Sequence, residues 1–560
     1  MIEKNSRKTV LIIAVSAVFF LLFIKLVYIQ IFLHHKIDAV VKKMVNCKNV
    51  ELPKRGDILD SKGKTLVASV KKYTIFLDLK LIEDFSRLKR ILLENGIKVE
   101  GEIGDFKKTS YLPIAFNINS DVVDKIKNEK LKGVGFENKY VRQYPEGRFL
   151  AHVLGIIGSD GNGLEGIEKT YNECLHGNFV VAKMRRDGRG HIIQDEPFDK
   201  VKIEGCNIEL SIDTAIQFIA EQELRRAFDK YKPQKAICII QNPKTGSILA
   251  MVSLPDFNSS DKIVDASLLR NSSIADIYEP GSTFKIVTVS AALDLGRIKF
   301  SDSFYLENGR YKITGHTIRD DHKIQGFVSL SKIFEQSSNI GMVKIAHEIG
   351  SKDFYKFIRK FGFYSLTGID LPGEAKGLLM NTEDWNALSL PTISFGQGIG
   401  VTAIQIINAF SAIANDGILM RPMVVQNIQK VDSEVASSIL KSREIRRVVS
   451  IKTARVVKKL LKNVVDFGTG KSAKISGYTV GGKTGTSQKI DPATKTYSRK
   501  HYTASFCGMI PAITPEIVIL VVIDEPKGSY YASSVVSPIF ANIAERVVQY
   551  LGIEKDDVGC

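Results

Sequence analysis

Hydrophobic positions divide this chain into one unbroken apolar run and a long body in which short apolar stretches alternate with polar turns. From Thr9 to Leu33 the sequence reads TVLIIAVSAVFFLLFIKLVYIQIFL, 25 residues with Lys25 as the single charge. At about 1.5 Å per residue, a helix of this length spans the roughly 30 Å hydrocarbon core of a bilayer. A cleaved leader has an apolar core of only about 7–15 residues, followed by small residues. Here Tyr28, Ile29, Gln30, Ile31 and Phe32 fill that place, so the run is expected to stay as an uncleaved anchor. Lys25 would snorkel to an interface or face a partner helix. Lys4, Arg7 and Lys8 precede the run and Lys36, Lys42 and Lys43 follow it, which leaves the orientation open. No later stretch is long enough to span again.

In the body, ELPKRGDILDSKG (51–63) predicts a strand at Ile58-Leu59 between turn residues. Residues 67–140 carry little periodicity, and the glycine-punctuated stretch 142–172 ends in a short helical pattern. This region is expected to be structural. A second unit begins near Cys206. Ile208, Leu210 and Ile212 read as a strand, Asp213-Thr214 as a helix cap, and Ile216, Ile219, Ala220 and Leu224 as one helical face. AICIIQNPKTGSILAMVSL reads as two strands joined by a turn at Asn242–Gly246. EIVILVVIDEP (516–526) reads as a fully buried strand. Strands at both ends of the unit with helices between predict an α+β domain whose sheet pairs early and late segments.

Composition adds limits. The chain has 560 residues, 44% apolar and 25% charged, which suits two or three globular domains. Its net charge of +17 fits a lysine-rich solvated surface, or attraction to anionic headgroups or an anionic substrate. No nucleic-acid module, zinc-finger spacing or arginine tract is present. Cys47, Cys174, Cys206, Cys238, Cys507 and Cys560 form no C-x-x-C pair and no ligand spacing with histidine, so no metal or cofactor is expected. Disulfides are open if the body is extracytoplasmic, and sequence does not pair them. Free buried thiols are the preferred expectation.

Candidate chemistry sits at Glu279-Pro280-Gly281-Ser282-Thr283-Phe284-Lys285, which opens the apolar segment IVTVSAALDLGRI. The length of that segment, Ala291-Ala292 and the terminal Gly296-Arg297 favour a buried helix over a strand. Ser282 and Lys285 then lie i and i+3 on one face, where the amine can approach the hydroxyl. A positive helix N-terminus would stabilise an emerging alkoxide, and the lysine must be neutral to act as a base. S-x-x-K alone is weak, since Ser61…Lys64 and Ser329…Lys332 repeat it. Two later elements single out Ser282. Ser337-Ser338-Asn339 stands in the helical stretch LSKIFEQSSNIGMVKIAHEIG, and Lys483-Thr484-Gly485-Thr486 follows a short strand at Tyr478-Thr479-Val480. Tyr502–Phe506 reads as a further strand.

S-x-x-K, S-x-N and K-T-G in this order resemble the motif set of penicillin-binding proteins and serine β-lactamases. The earlier Lys244-Thr245-Gly246 lies in a hairpin turn and is assigned no catalysis. RGDILDSKG, RQYPEG, GLEGIEKTYN, LSIDTAIQ, TGIDLPGE and SFGQGIGVTAIQ resemble the class B penicillin-binding proteins, the monofunctional D,D-transpeptidases. YEPGSTFK, VGGKTGTSQK and YTASFCGMIP are most similar to the division-type FtsI branch. Ser533-Ser534 depart from the family, which commonly has glycine-type residues there. The resemblance implies a short tail (1–8), the anchor (9–33), a pedestal or dimerisation-type domain (40–205) and a transpeptidase domain (206–560), an antiparallel sheet with helices.

It also implies roles. Ser282 attacks the D-Ala–D-Ala carbonyl of a peptidoglycan stem peptide, and Lys285 accepts its proton. Ser337 and Lys483 relay a proton to the leaving amine, and Asn339 contacts the peptide amide. Thr484 and Thr486, with Gly485 between them, hold the terminal carboxylate. The N–H groups of Ser282 and Thr486 form the oxyanion hole. β-Lactams are expected to acylate Ser282. The substrate places the body in the periplasm with the N-terminus inside, and an FtsW-type glycosyltransferase is the implied partner, with other division proteins. The chain ends soon after VVSPIFANIAERVVQYLG, which suits the shorter Gram-negative pattern. Alternatives are an elongation-type transpeptidase, a β-lactamase, a penicillin sensor or a division scaffold. A β-lactamase normally lacks so long an anchored segment ahead of the serine, and a sensor uses several membrane segments.

Overall fold

The run EIVILVVIDEP becomes the middle strand of the sheet that carries the candidate site. In this computed structural model, residues 2–36, 46–51, 53–82, 84–97, 111–177, 180–186, 192–195, 204–261, 265–430, 438–491 and 493–557 are described. Five strands form the sheet: β1 (Lys235–Gln241), β2 (Ile248–Leu254), β3 (Gly481–Ile490), β4 (Tyr497–Ile510) and β5 (Ile517–Asp524). Their order is β2-β1-β5-β4-β3, antiparallel throughout, so early and late segments pair as expected.

Period-two alternation explains why the inner strands are apolar without a break, since both faces are covered. Ala236, Cys238, Ile240, Ile519, Val521 and Ile523 pack with the helices Thr214–Tyr231 and Ala532–Leu551. Ile237, Ile239, Val518, Leu520 and Val522 face the opposite layer, which holds the helices Ala403–Ala414 and Ile451–Asp466. Asp213 caps its helix as expected, accepting from the N–H groups of Ala215 and Ile216. The early Lys244-Thr245-Gly246 is a turn: Asn242 Oδ1 accepts from Lys244 N at 3.0 Å, and Gly246 has φ +79°.

The chain divides into two compact units. Arg55–His176 and Gly205–Cys560 form the larger one. Within it a second sheet joins Ile58–Leu59 in parallel to Asn207–Leu210 and antiparallel to Thr65–Leu77. The weakly patterned stretch after residue 67 holds regular elements. Strands Thr65–Leu77, Leu112–Ile118 and Val134–Gln143 pair, and helix Phe85–Glu94 packs on them through Leu88 and Leu92. Much of this sheet is half-buried, so its alternation is blurred in sequence.

The smaller unit is Met1–Lys54 with Gly177–Glu204. It contains helix Ile2–Val27, a π-helical turn at Tyr28–Phe32, and a three-stranded antiparallel sheet of Asn46–Glu51, Val180–Arg186 and Ile192–Asp195. Lys8–Phe32 is long and apolar enough to cross a bilayer.

One buried ionic cluster gives the motifs RGD, RQYPEG and GLEGIEKTYN a common purpose. Glu168 is 0% exposed and accepts from Arg55 Nε and Arg142 Nε, each at 2.6 Å, and from Tyr144 OH at 3.3 Å. Arg55 also donates to Asn172 Oδ1 and Arg142 to Gly56 O. Removing the one carboxylate strands two buried guanidiniums. Glu168→Ala should therefore cost about 3–5 kcal/mol of stability, read as a lowered denaturation midpoint. An unchanged midpoint would show that the cluster is dispensable.

Candidate active site

Ser282 sits in a 3₁₀ turn, Gly281–Phe284, that leads into helix α1 (Lys285–Asp294). The expected helix is present, and the serine lies one turn ahead of it. Two close approaches fix that turn. Gly281, at φ +54°, donates its N–H to Gly396 O at 3.0 Å. On the other side, a Cβ on Gly485 would fall 2.9 Å from Pro280 O and from Thr283 Cγ2, and 2.6 Å from Ser505 Oγ. Glycine in the K-T-G motif thus lets edge strand β3 lie against the serine turn.

The Ser337-Ser338-Asn339 stretch is not one continuous helix. Helix α2 (Leu330–Glu335) ends, Ser337 takes a left-handed backbone at φ +56°, and α3 (Asn339–Ile349) begins with Ser338 as its cap. Asp320 holds this turn. Its carboxylate accepts from Asn339 N at 2.6 Å, Ile340 N at 3.1 Å and Ser338 Oγ at 2.6 Å. The K-T-G motif, expected after a strand at 478–480, instead lies within β3 itself. Pairing with β4 and not local propensity makes Gly481–Thr486 a strand.

These elements bring two lysines to one hydroxyl. Lys285 and Lys483 are both 0% exposed. Lys285 Nζ donates to Ser337 O at 2.6 Å, Ser337 Oγ at 3.2 Å and Asn339 Oδ1 at 2.7 Å. Lys483 Nζ donates to the same Ser337 Oγ at 2.9 Å and to Thr484 O at 3.2 Å. Thr484 Oγ1 shares a hydrogen bond with Thr469 Oγ1 at 2.8 Å, and Thr486 Oγ1 accepts from Ala532 N at 3.2 Å. Sequence reasoning missed Asp320 and Thr469, which belong to no spaced motif. An acceptor facing the first N–H groups of α3 was the one available sign of Asp320.

Burial pushes Lys285 down to about 7, against the opposing pull of Asp320 and Asp321. Burial, and then the charge of Lys285, push Lys483 well below the ordinary lysine range. Two neighbouring buried ammonium groups are unfavourable together, so the pair tends to lose a proton near neutral pH. A neutral Lys285 has two N–H donors and a lone pair, where the ammonium has three donors. Losing the proton frees one of its three acceptors and supplies a base one turn from Ser282. Ser337 Oγ accepts from both amines through its two lone pairs, which leaves its own proton to donate.

Residues 236–545 match the family described as the penicillin binding protein transpeptidase domain, and residues 50–210 match the penicillin-binding protein dimerisation domain. The chain belongs to the class B penicillin-binding proteins. Its domain is that of a serine transpeptidase. Stage V sporulation protein D of Bacillus subtilis is 33% identical, covering 98% of this chain and 86% of that protein. Peptidoglycan D,D-transpeptidase FtsI of Escherichia coli is 31% identical, covering 90% and 84%. Penicillin binding protein 3 of Mycobacterium tuberculosis, solved with aztreonam, superposes with a TM-score of 0.71 at 25% identity, covering 90% of this chain and 98% of that one.

Acylation by a β-lactam should rise with pH through an acid limb near 7, because protonated Lys285 has no lone pair to offer. Asp320→Asn removes a charge that favours the ammonium, so the limb should move to lower pH in stopped-flow acylation. A shift to higher pH would contradict the assignment. Gly485→Ala should slow acylation by about a hundredfold, on the scale of a small misplacement of reacting groups, while the fold persists in circular dichroism. An unchanged rate would show that the approach of β3 to the serine turn is not needed.

Proposed function

We propose that the chain is a peptidoglycan D,D-transpeptidase that cross-links stem peptides in the division septum. The carrying observation is the Ser337 hydroxyl held between two buried lysines, beside the turn of Ser282. Ser282 Oγ attacks the penultimate D-Ala carbonyl and its proton passes to Lys285. As the tetrahedral intermediate collapses, the C–N bond breaks and D-Ala departs with a proton relayed through Ser337 from the lysine pair. The acceptor amine of a second stem then attacks the ester, forming the cross-link and returning the proton to Ser282.

Asn339 orients the donor peptide amide. Thr484, Gly485 and Thr486 line the edge of β3 where the terminal carboxylate and the peptide backbone lie. The N–H groups of Ser282 and Thr486 bind the oxyanion; the first N–H groups of a helical turn have no partner within it, which suits that use. β-Lactams, by mimicking the donor, acylate the same serine.

This substrate lies outside the cytoplasmic membrane. The reading therefore puts residues 1–8 inside, the anchor 9–33 in the bilayer and the body in the periplasm. Residues 40–205 serve as the pedestal and 206–560 as the catalytic domain. An FtsW-type glycosyltransferase supplies the glycan strands, along with other division proteins. Similarity to FtsI supports the septal role, and the sporulation relative is no less similar.

Incubation with benzylpenicillin should give a long-lived penicilloyl adduct on Ser282 by intact-mass and peptide analysis. Ser282→Ala should carry none, and Lys285→Arg should acylate very slowly because a guanidinium stays protonated. Rapid turnover of penicillin would instead make the protein a β-lactamase. Depletion should give filamentous cells; round cells would assign it to elongation.

A further inference from the structure

Two half-buried thiols meet where the chain leaves and re-enters the larger unit. Cys174 lies in the short helix Asn172–His176, and Cys206 immediately precedes the strand Asn207–Leu210. Between them, residues 177–204 belong to the smaller unit. Cys206 N donates to Cys174 O at 2.8 Å, and the two thiols are in hydrogen-bonding contact. A backbone bond of this kind holds the two Cα atoms within the roughly 4.4–6.8 Å that a disulfide requires.

The neighbouring backbone is locked. Gly56 N donates to Leu175 O at 2.8 Å, and Asp57 N donates to Asn207 Oδ1 at 2.7 Å. A Cβ on Gly205 would lie 1.7 Å from Leu175 O, and one on Gly56 would lie 1.8 Å from Cys206 O. Arg55 fixes the turn before Cys174 through Asn172 Oδ1 and Glu168. The free sulfurs need only close from hydrogen-bonding contact to the roughly 2.05 Å of an S–S bond. Cys238 and Cys507 make the contrast. They are buried on strands β1 and β4, with β5 between them, about two strand spacings or 9–10 Å apart.

We infer that Cys174 and Cys206 form a structural disulfide that ties the exit and re-entry points of the 177–204 segment together. The inference rests on the periplasmic placement proposed above, since disulfides persist in oxidising compartments. The oxidant is a disulfide-bearing oxidoreductase or a small-molecule disulfide. One cysteine thiolate attacks its S–S bond, forming a mixed disulfide and releasing one thiol. The second cysteine thiolate then attacks the protein sulfur, so the new S–S bond forms as the oxidant's second thiol leaves; the protein loses two electrons and two protons. Burial, with the Cys206 thiol alongside, pushes Cys174 up to about 12, which makes the thiolate scarce and the pair a poor reactive redox centre. Closing the loop restricts the unfolded chain and so favours the folded state.

The test uses the full chain from acid-quenched cells, alkylated under denaturing conditions and digested without reductant. Mass spectrometry should find the Cys174 and Cys206 peptides joined, two hydrogens lighter than their sum. Reductant should lower the unfolding temperature of the purified protein by several degrees and leave a Cys174→Ser/Cys206→Ser variant unchanged. Alkylated thiols at both positions, or a link from either to another cysteine, would overturn the inference. Purified protein treated with oxidised glutathione separates the two ways to fail. No linked pair there refutes the geometry. A pair that forms there and is free in cells refutes the disulfide through the compartment, leaving the transpeptidase chemistry to its own test.

Discussion

Two ammonium groups cannot share a small dry site at low cost, and the arrangement around Ser337 depends on that constraint. Lys285 and Lys483 converge on one hydroxyl oxygen with no exposure to solvent. In water each would hold its proton to beyond pH 10. Here burial lowers both, and the charge of Lys285 lowers Lys483 further, so a lysine able to act as a base near neutrality is available without histidine. Asp320 and Asp321 moderate the effect by favouring the charged form of Lys285. Asp320 also builds the turn, so the geometry of Ser337-x-Asn339 and the proton affinity of Lys285 are set partly by one carboxylate.

The fold supplies what such a pair needs. The lysines enter from separate elements, the first residue of α1 and the edge strand β3, and α2 and α3 close the space between them. Covering both faces of the sheet makes the interior dry enough to shift a lysine. Gly485 lets β3 come so near the serine turn that Ser282, Lys285 and Lys483 belong to one site. A side chain at 485 would push β3 away from the serine turn and so part Ser282 from Lys483.

Much of this was legible in sequence where a single physical rule dominates. The strand EIVILVVIDEP, the cap at Asp213 and the turn at Asn242–Gly246 follow from burial, capping and turn chemistry that act locally. The order of the three motifs pointed to Ser282 over Ser61 and Ser329. What stayed hidden arises from tertiary pairing. The Ser337 turn reads as helix because LSKIFEQSSNIGMVKIAHEIG keeps a helical apolar pattern across the break, and the break is held by Asp320, which follows the hairpin of Arg310–Ile313 and His316–Arg319. Lys483–Thr486 has weak strand propensity and is a strand because β4 pairs with it. The half-exposed sheet around Thr65–Leu77 gave little signal, since its alternation is diluted by lysines such as Lys71 and Lys72.

The site works as described only if the lysine pair loses a proton near neutral pH in the resting enzyme. NMR of protein carrying isotope-labelled lysine side chains measures this directly, with Lys285→Ala and Lys483→Ala used for assignment. One lysine resonance should titrate near pH 7 in the wild type and be lost or displaced in each variant. If every lysine titrates at its ordinary value, the pair holds two charges at neutral pH and Lys285 offers no base there.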